Sequence, residues 1–128
     1  MKVKSEQLLQ KLEKEKKIKQ EINRIKKNYK EFPKDKVKML DGLIQEAAFM
    51  KISLEESRED LLSNGLTETF EQGSQRFERE RPQFKIYTTL TQRYSGMMNS
   101  LINILPEEQK KEEADKLLEF LQKGKIKK

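Results

Sequence analysis

The stretch "RERPQFKIYTTLTQRYSGMMNSLINILPEE", residues 79–108, has the most regular apolar spacing in the chain and decides its predicted fold. From the first tyrosine onward, apolar side chains recur at alternating steps of three and four residues, which is the period of an amphipathic helix. Pro82 suits the first turn of that helix, and Pro106 suits the start of a following one. The apolar positions, called the seam below, are Tyr87, Leu90, Tyr94, Met97, Leu101 and Ile104.

The seam has two possible roles, and the sequence leaves both open. It is either the buried face of a helix in a small bundle or a surface that joins subunits. Small side chains lie off the seam and would let a neighbouring helix approach closely: Thr88, Thr89, Thr91, Ser95, Gly96 and Ser100. The residues of the seam are therefore predicted to serve the core, an oligomer interface, or both.

Three further helices are predicted around this one. Residues 4–31 form a basic helix that ends at Phe32-Pro33, because proline disfavours helical geometry in the residue before it. A second helix begins near Lys34 and stops before Asn64-Gly65, and a fourth follows Pro106. The predicted fold is all-α: a long antiparallel helical hairpin plus two further helices, in an oligomeric helical assembly.

The predicted organisation has three regions. Residues 1–33 form the basic N-terminal helix, and residues 34–121 form a helical core and oligomerisation region. Within that core, residues 65–81 show no sustained period and are predicted to be an irregular crossover. Residues 122–128 form a basic tail.

Composition limits the chemistry that this chain can perform. Of its 128 residues, 34% are hydrophobic and 39% are charged, which favours long helices that share a thin apolar core or complete it between subunits. The chain has no cysteine and no histidine, which excludes disulfides, thiolate zinc sites and histidine acid–base catalysis. It also has no glycine-rich phosphate loop. We predict that it is not an enzyme and binds no cofactor.

Four carboxylates lie close together in the second helix but do not predict a metal site. Glu55, Glu56, Glu59 and Asp60 fall within six residues. Neighbouring positions on a helix face different directions, so these side chains cannot all converge on one ion. No metal site is therefore predicted.

Charge is distributed unevenly along the chain. The overall net charge is +6, whereas residues 1–38 carry a net charge of +8 and residues 39–63 a net charge of −4. The last seven residues add a charge of +4. Two basic ends favour an anionic partner, and nucleic acid is the expected one.

The basic face of the first helix is the main DNA candidate. If Ile18, Ile22 and Ile25 face inward, the cations between them lie mainly on outer positions and can neutralise phosphates without reading sequence. The alternative is a solvated face on which nearby glutamates pair with the lysines. The candidates are Lys16, Lys17, Lys19, Arg24, Lys26, Lys27 and Lys30, with a second group at Lys123, Lys125, Lys127 and Lys128.

Arginines also lie near Phe77 in the crossover region, at Arg76, Arg79 and Arg81. An arginine beside an aromatic side chain can hold a phosphate and stack on a base. Glu78 and Glu80 nearly cancel the charge of these arginines. A role in fixing the loop or joining subunits is therefore favoured over DNA contact.

Two segments resemble small terminase subunits from phages of Gram-positive bacteria. They are "MLDGLIQEAAFMKISLEESREDLLSNG", residues 39–63 with the adjoining Asn-Gly stop, and "QGSQRFERERPQFKIYTTLTQRYSGMMNSLINILPEE", residues 72–108. The similarity covers roughly residues 25–121 and consists of a helix, an Asn-Gly stop, a polar loop and a proline-led helix ending in "LP". Many members of that family have an N-terminal helix-turn-helix, whereas residues 1–31 are predicted here to be one long helix.

The resemblance implies a function in viral DNA packaging. A small terminase subunit assembles into a ring, binds double-stranded phage DNA and regulates the large motor and nuclease subunit. It would act in the cytoplasm of an infected bacterial cell, and no membrane-spanning segment is expected because no apolar run is long enough. The alternative from the residues alone is a non-enzymatic coiled-coil interaction or scaffold module without DNA binding.

Overall fold

The fold contains four α-helices and one small antiparallel sheet. The computed structural model describes residues 2–123. Short connections join the elements, so neighbours in sequence also pack together in space. In chain order the elements are α1 (Lys2–Lys26), a short 3-10 helix (Lys27–Tyr29), α2 (Lys34–Asn64), β1 (Thr67–Gln72), β2 (Gln75–Glu80), α3 (Pro82–Asn103) and α4 (Glu107–Lys123).

Helices α1 and α2 form the predicted antiparallel hairpin. The turn between them contains Pro33, whose carbonyl accepts the first backbone hydrogen bond of α2. Two ion pairs fix the direction: Lys14 Nζ lies 3.2 Å from a Glu56 oxygen, and Lys26 Nζ lies 2.9 Å from an Asp41 oxygen. The start of α1 therefore lies beside the end of α2.

Helix α2 ends where the sequence predicted, at Asn64. Gly65 follows with a φ of 82°, a backbone angle that glycine adopts without steric cost. Its amide donates a hydrogen bond to the carbonyl of Leu61 at 2.8 Å, which closes the last turn. The chain then leaves the bundle as the β1–β2 hairpin.

Helix α3 returns antiparallel to α2, and α4 packs against α3. The Arg58 guanidinium of α2 donates a hydrogen bond to the Tyr87 hydroxyl near the start of α3. At the other end, the Tyr29 hydroxyl donates a 2.7 Å hydrogen bond to the carbonyl of Leu101. Burial raises the pKa of Tyr29 to about 12, so its hydroxyl stays protonated as a donor. The fold is all-α, as predicted, with the two-stranded sheet as an addition that was not predicted.

One hydrophobic core joins all four helices. The largest side chains that are almost fully enclosed come from α1, the following 3-10 helix, α2 and α3: Ile25, Tyr29, Ile44, Leu54, Tyr94 and Leu101. Helix α4 contributes Leu117 and the ring of Phe120, which packs edge-on against Tyr94 at 5.4 Å between centroids.

The seam lies in the core only in part. Tyr94 and Leu101 are buried, and Tyr87, Leu90 and Met97 are half-buried against the core. Ile104 is 46% exposed, so it does not belong to the core of the single chain, and an interface role for it stays a prediction. Helix α3 ends at Asn103, and the turn closed by the hydrogen bond from the Leu105 amide to the Ile102 carbonyl places Leu105 inward, so the helical spacing no longer applies. The positions that are buried instead are Met98, Ile102 and Leu105.

The predicted irregular crossover is wrong, because most of residues 65–81 form a regular hairpin. β1 and β2 pair antiparallel with Phe70 opposite Phe77, and Gly73 turns the chain with a φ of 62°. Both strands are rich in glutamate, arginine and polar residues, and every residue of β2 is exposed. An alternating apolar pattern, the usual sequence signal for a strand, is therefore missing.

Candidate nucleic-acid interface

Five lysines on α1 and the following 3-10 turn form an exposed basic stripe. They lie on turns whose opposite side carries Ile18, Ile22 and Ile25, which pack toward the core. Within residues 2–123, no carboxylate oxygen lies within 4.0 Å of their amino groups. These side chains can therefore meet phosphates without first breaking an ion pair. The lysine stripe consists of Lys16, Lys17, Lys19, Lys27 and Lys30.

Arg24, a predicted DNA contact, belongs instead to an internal ion cluster. Its guanidinium lies 2.6 Å from a Glu21 oxygen and 3.2 Å from a Glu113 oxygen of α4. The hydrogen bond with Glu21 is the main cause that raises the pKa of Arg24, so the side chain keeps its charge. Its hydrogen-bonding groups already serve two carboxylates that are almost fully buried. Arg24 is therefore placed to stabilise the bundle.

Lys26 also has a partner within the fold. Its amino group pairs with Asp41 of α2, and this hydrogen bond is the main cause that lowers the pKa of the Asp41 carboxyl. The Lys26 side chain is 42% exposed, so the pair lies at the surface. Contact with a phosphate would compete with Asp41, which separates Lys26 from the lysine stripe.

Glu113 is a buried carboxylate that no sequence pattern singles out. Burial alone would raise its pKa, but a hydrogen bond from Asn28 and the charge of Arg24 outweigh burial and lower it. Lys51 of α2 reaches the same cluster, with its amino group 3.3 Å from a Glu21 oxygen. The cluster thus ties α1, α2 and α4 together beneath the basic face.

Replacing Glu113 with glutamine is expected to reduce the free energy of unfolding at neutral pH by about 1–3 kcal/mol, since Arg24 loses a charged partner. The pKa of Glu113 is lower in the folded state than in the unfolded chain. Its stabilising effect is therefore complete above the unfolded pKa and is lost as the pH falls through the folded pKa. Urea unfolding between pH 7 and pH 3 should show a smaller loss of stability on acidification in Glu113→Gln than in the parent.

Glu112→Gln is the matched control for that measurement. Glu112 lies beside Glu113 on α4, but its side chain is 67% exposed. Its replacement should leave both the stability and its pH dependence close to those of the parent. Equal acid dependence in Glu113→Gln and the parent would contradict the role given to this carboxylate.

The predicted second DNA site at the C-terminus lies mostly beyond the part of the chain that is described. Lys125, Lys127 and Lys128 fall outside residues 2–123. Lys123 is the last residue of α4, and its amino group is 3.8 Å from Glu119. Both side chains are 69% exposed, so this pair contributes little to stability.

The three arginines of the crossover segment fix the hairpin and its base. Arg76 pairs with Glu71 and Arg79 pairs with Glu68, each across the two strands. Arg81 donates hydrogen bonds to the carbonyl of Gly65 and to Asp60. The arginines thus hold the hairpin together and attach it to α2.

The four carboxylates that lie close together in the sequence of α2 do not converge on one point. Asp60 accepts hydrogen bonds from Asn64 and Arg81, and these bonds lower its pKa. Glu56 pairs with Lys14 on another side of the helix. Among residues 2–123, no cluster of three or more acidic side chains is arranged to hold a metal ion. None of the helices in this range has an apolar stretch long enough to span a bilayer.

A scan against protein-family models and searches of characterised proteins and of solved structures found no match to this chain. The lysine stripe and its chemistry therefore carry the functional argument.

Proposed function

We propose that this chain is a DNA-packaging adaptor of the small terminase subunit type. In this proposal it assembles into a ring, binds double-stranded phage DNA through the lysine stripe, and recruits and regulates a large motor and nuclease subunit in the infected bacterial cell. The observation that carries the DNA part is the set of five exposed lysines, which have no carboxylate partner among the described residues 2–123. The sequence resemblance over residues 25–121 supports the packaging part.

The stripe suits contact with a phosphate backbone. Lys16 and Lys27 are separated by about 16 Å along the helix at 1.5 Å per residue, long enough to meet successive phosphates of one strand. Lysines that contact phosphates position a protein on DNA but do not read its sequence. Residues 2–26 form one continuous helix rather than a helix-turn-helix. Any sequence preference would therefore come from the shape or bending of the DNA.

Assembly supports the same function by multiplying weak contacts. Each subunit of a ring would add its own stripe, so individually weak phosphate contacts would sum through multivalency. The chain also leaves large apolar side chains exposed, among them Leu8, Leu9 and Leu12 of α1. Burial of such side chains between subunits would add to the thin core of each one.

A salt titration of DNA binding tests the proposal. The affinity of the full chain for double-stranded DNA should fall linearly on a log–log plot against salt, with a slope of about −0.9 for each phosphate contacted. Two duplexes of unrelated sequence should give similar slopes. Fluorescence anisotropy at several salt concentrations measures both. Binding that is absent at low salt, or that does not change with salt, would contradict the DNA function.

The second candidate is a protein-binding scaffold module without DNA contact. The observation that favours it is the net charge of −2 over residues 67–80, so the chain has an acidic hairpin as well as a basic helix. Such a molecule could join basic and acidic protein partners. An oligomer that shows no salt-dependent DNA binding would favour this function.

A further inference from the structure

The β1–β2 hairpin presents an aromatic face on an arm outside the bundle. Phe70 and Phe77 lie opposite each other, with ring centroids 5.2 Å apart, and Phe77 is 48% exposed. The guanidinium carbon of Arg79 lies over the Phe70 ring, 4.2 Å from its centroid. A two-stranded hairpin is marginally stable on its own, so this arm would gain stability from a surface that covers its aromatic pair.

A matching apolar patch lies on the first turns of α1. Leu8, Leu9 and Leu12 are 58%, 60% and 53% exposed, and they are close neighbours at helical spacing. We call them the leucine patch. Lysines surround it, and residues 2–19 carry a net charge of +4. The patch precedes the lysine stripe along the helix, so covering it would leave Lys19, Lys27 and Lys30 accessible.

The arm and the leucine patch lie at the same end of the molecule. The start of α1 lies beside the end of α2, as the Lys14–Glu56 pair shows, and the hairpin leaves from that end of α2. In a closed ring, neighbouring copies are related by rotation, so surfaces at the same height along the axis meet. Two different surfaces at one end of a subunit therefore suit a head-to-tail ring.

Charge makes a second copy of this chain the favoured occupant. The arm has a net charge of −2, and its outer face carries Glu71, Glu78 and Glu80 with a single arginine. The helix that carries the leucine patch is basic. These glutamates lie on the face opposite Phe70 and Phe77, so it is the opposite net charges of the arm and the helix that favour the encounter of two copies and disfavour docking of like surfaces.

We propose that the aromatic face of the hairpin arm docks on the leucine patch of a neighbouring copy, and that this contact closes the ring. The contact rests on the assembly part of the proposed function and does not require DNA. Phe70 and Phe77 would supply the apolar centre, and the net negative charge of the arm would attract it to the basic helix that carries the patch. Each subunit gives an arm to one neighbour and receives an arm from the other.

Disulfide cross-linking tests the contact directly, since the chain has no cysteine of its own. A mixture of Leu9→Cys and Phe77→Cys full-length chains should form a covalent dimer under mild oxidation, seen on a non-reducing gel and identified by mass spectrometry. Neither variant should form that dimer alone. The matched control pairs Phe77→Cys with Glu112→Cys, an exposed position on α4. A Leu9–Phe77 yield no higher than this control would overturn the proposal.

A second measurement removes the aromatic pair instead. The double variant Phe70→Ser, Phe77→Ser should shift the mass in light scattering from a multiple of 15.3 kDa toward the single-chain mass of 15.3 kDa. Its helical circular dichroism should stay at the parental level, because the arm lies outside the core. An unchanged oligomer would overturn the arm contact while leaving assembly intact. A parent chain that is itself a monomer would overturn both, and DNA binding would be judged separately from its salt dependence.

Discussion

Leu101→Ala is expected to lower the free energy of unfolding by about 2–5 kcal/mol, as large-to-small changes in a packed core do. Leu101 is only 1% exposed and lies where α3 meets both α2 and the 3-10 turn after α1. The carbonyl of the same residue accepts the hydrogen bond from Tyr29. Loss of the side chain would therefore leave a cavity beside a buried hydrogen bond. Urea unfolding followed by circular dichroism measures the change.

Ile104→Ala is the matched control for this measurement. The two residues lie one turn apart in sequence, and both belong to the seam predicted from the spacing. Ile104 is 46% exposed, so its truncation should cost less than about 1 kcal/mol in an isolated subunit. Equal losses for Leu101→Ala and Ile104→Ala would mean that the burial of α3 described above is wrong.

The sequence predicted four helices because their signals are local, although α1 ends at Lys26 and a 3-10 helix follows where one helix to residue 31 was predicted. The stops at Phe32-Pro33 and Asn64-Gly65 and the start at Pro82 all act on the backbone within a few residues. The spacing of apolar side chains likewise predicted the faces of α1 and α3 that pack inward. The spacing did not show that Ile104 lies outside the core of the single chain, because it says nothing about where the helix itself ends.

The hairpin was missed because its strands carry no apolar alternation. The signals that hold it are pairwise, such as Arg79 with Glu68 and Phe70 with Phe77, and these pairs become visible only once the register is known. Local signs were few: Thr67, Thr69 and Phe70 allow an extended piece, and Gly73 allows a turn. Strands that are exposed on both faces leave little hydrophobic pattern to detect.

The candidate site could be predicted only in part, because a helical period shows one inner face at a time. The helical period of α1 placed Arg24 on the side away from α2, where solvent was expected. The carboxylate that binds Arg24 there, Glu113, lies 89 residues further along the chain. No spacing rule connects two positions so far apart. The five lysines of the stripe lie on the exposed side of the helix, as the period predicted, because solvent rather than another helix surrounds them.

Because the lysines of the stripe are exposed, whereas Arg24 is paired inside the fold, replacing these lysines should have a large effect on DNA binding. Replacing Lys16, Lys19 and Lys27 together with glutamine should remove up to three phosphate contacts per subunit. The log–log salt slope should then become less steep by about 2.7 per subunit, which corresponds to roughly 40-fold less salt sensitivity between 50 and 200 mM. Binding to all DNA sequences should weaken alike, because phosphates carry no sequence information.

The control for this experiment keeps the same change in net charge but places it elsewhere. Lys38, Lys85 and Lys111 are exposed lysines on α2, α3 and α4, and their joint replacement with glutamine also removes three positive charges. Both triple variants should retain parental helicity and mass, since none of the six side chains is buried. If the α1 variant and its control lose affinity equally, net charge alone drives DNA binding and the stripe is not its site. If neither loses affinity, α1 does not contact DNA and the DNA site lies elsewhere on the chain.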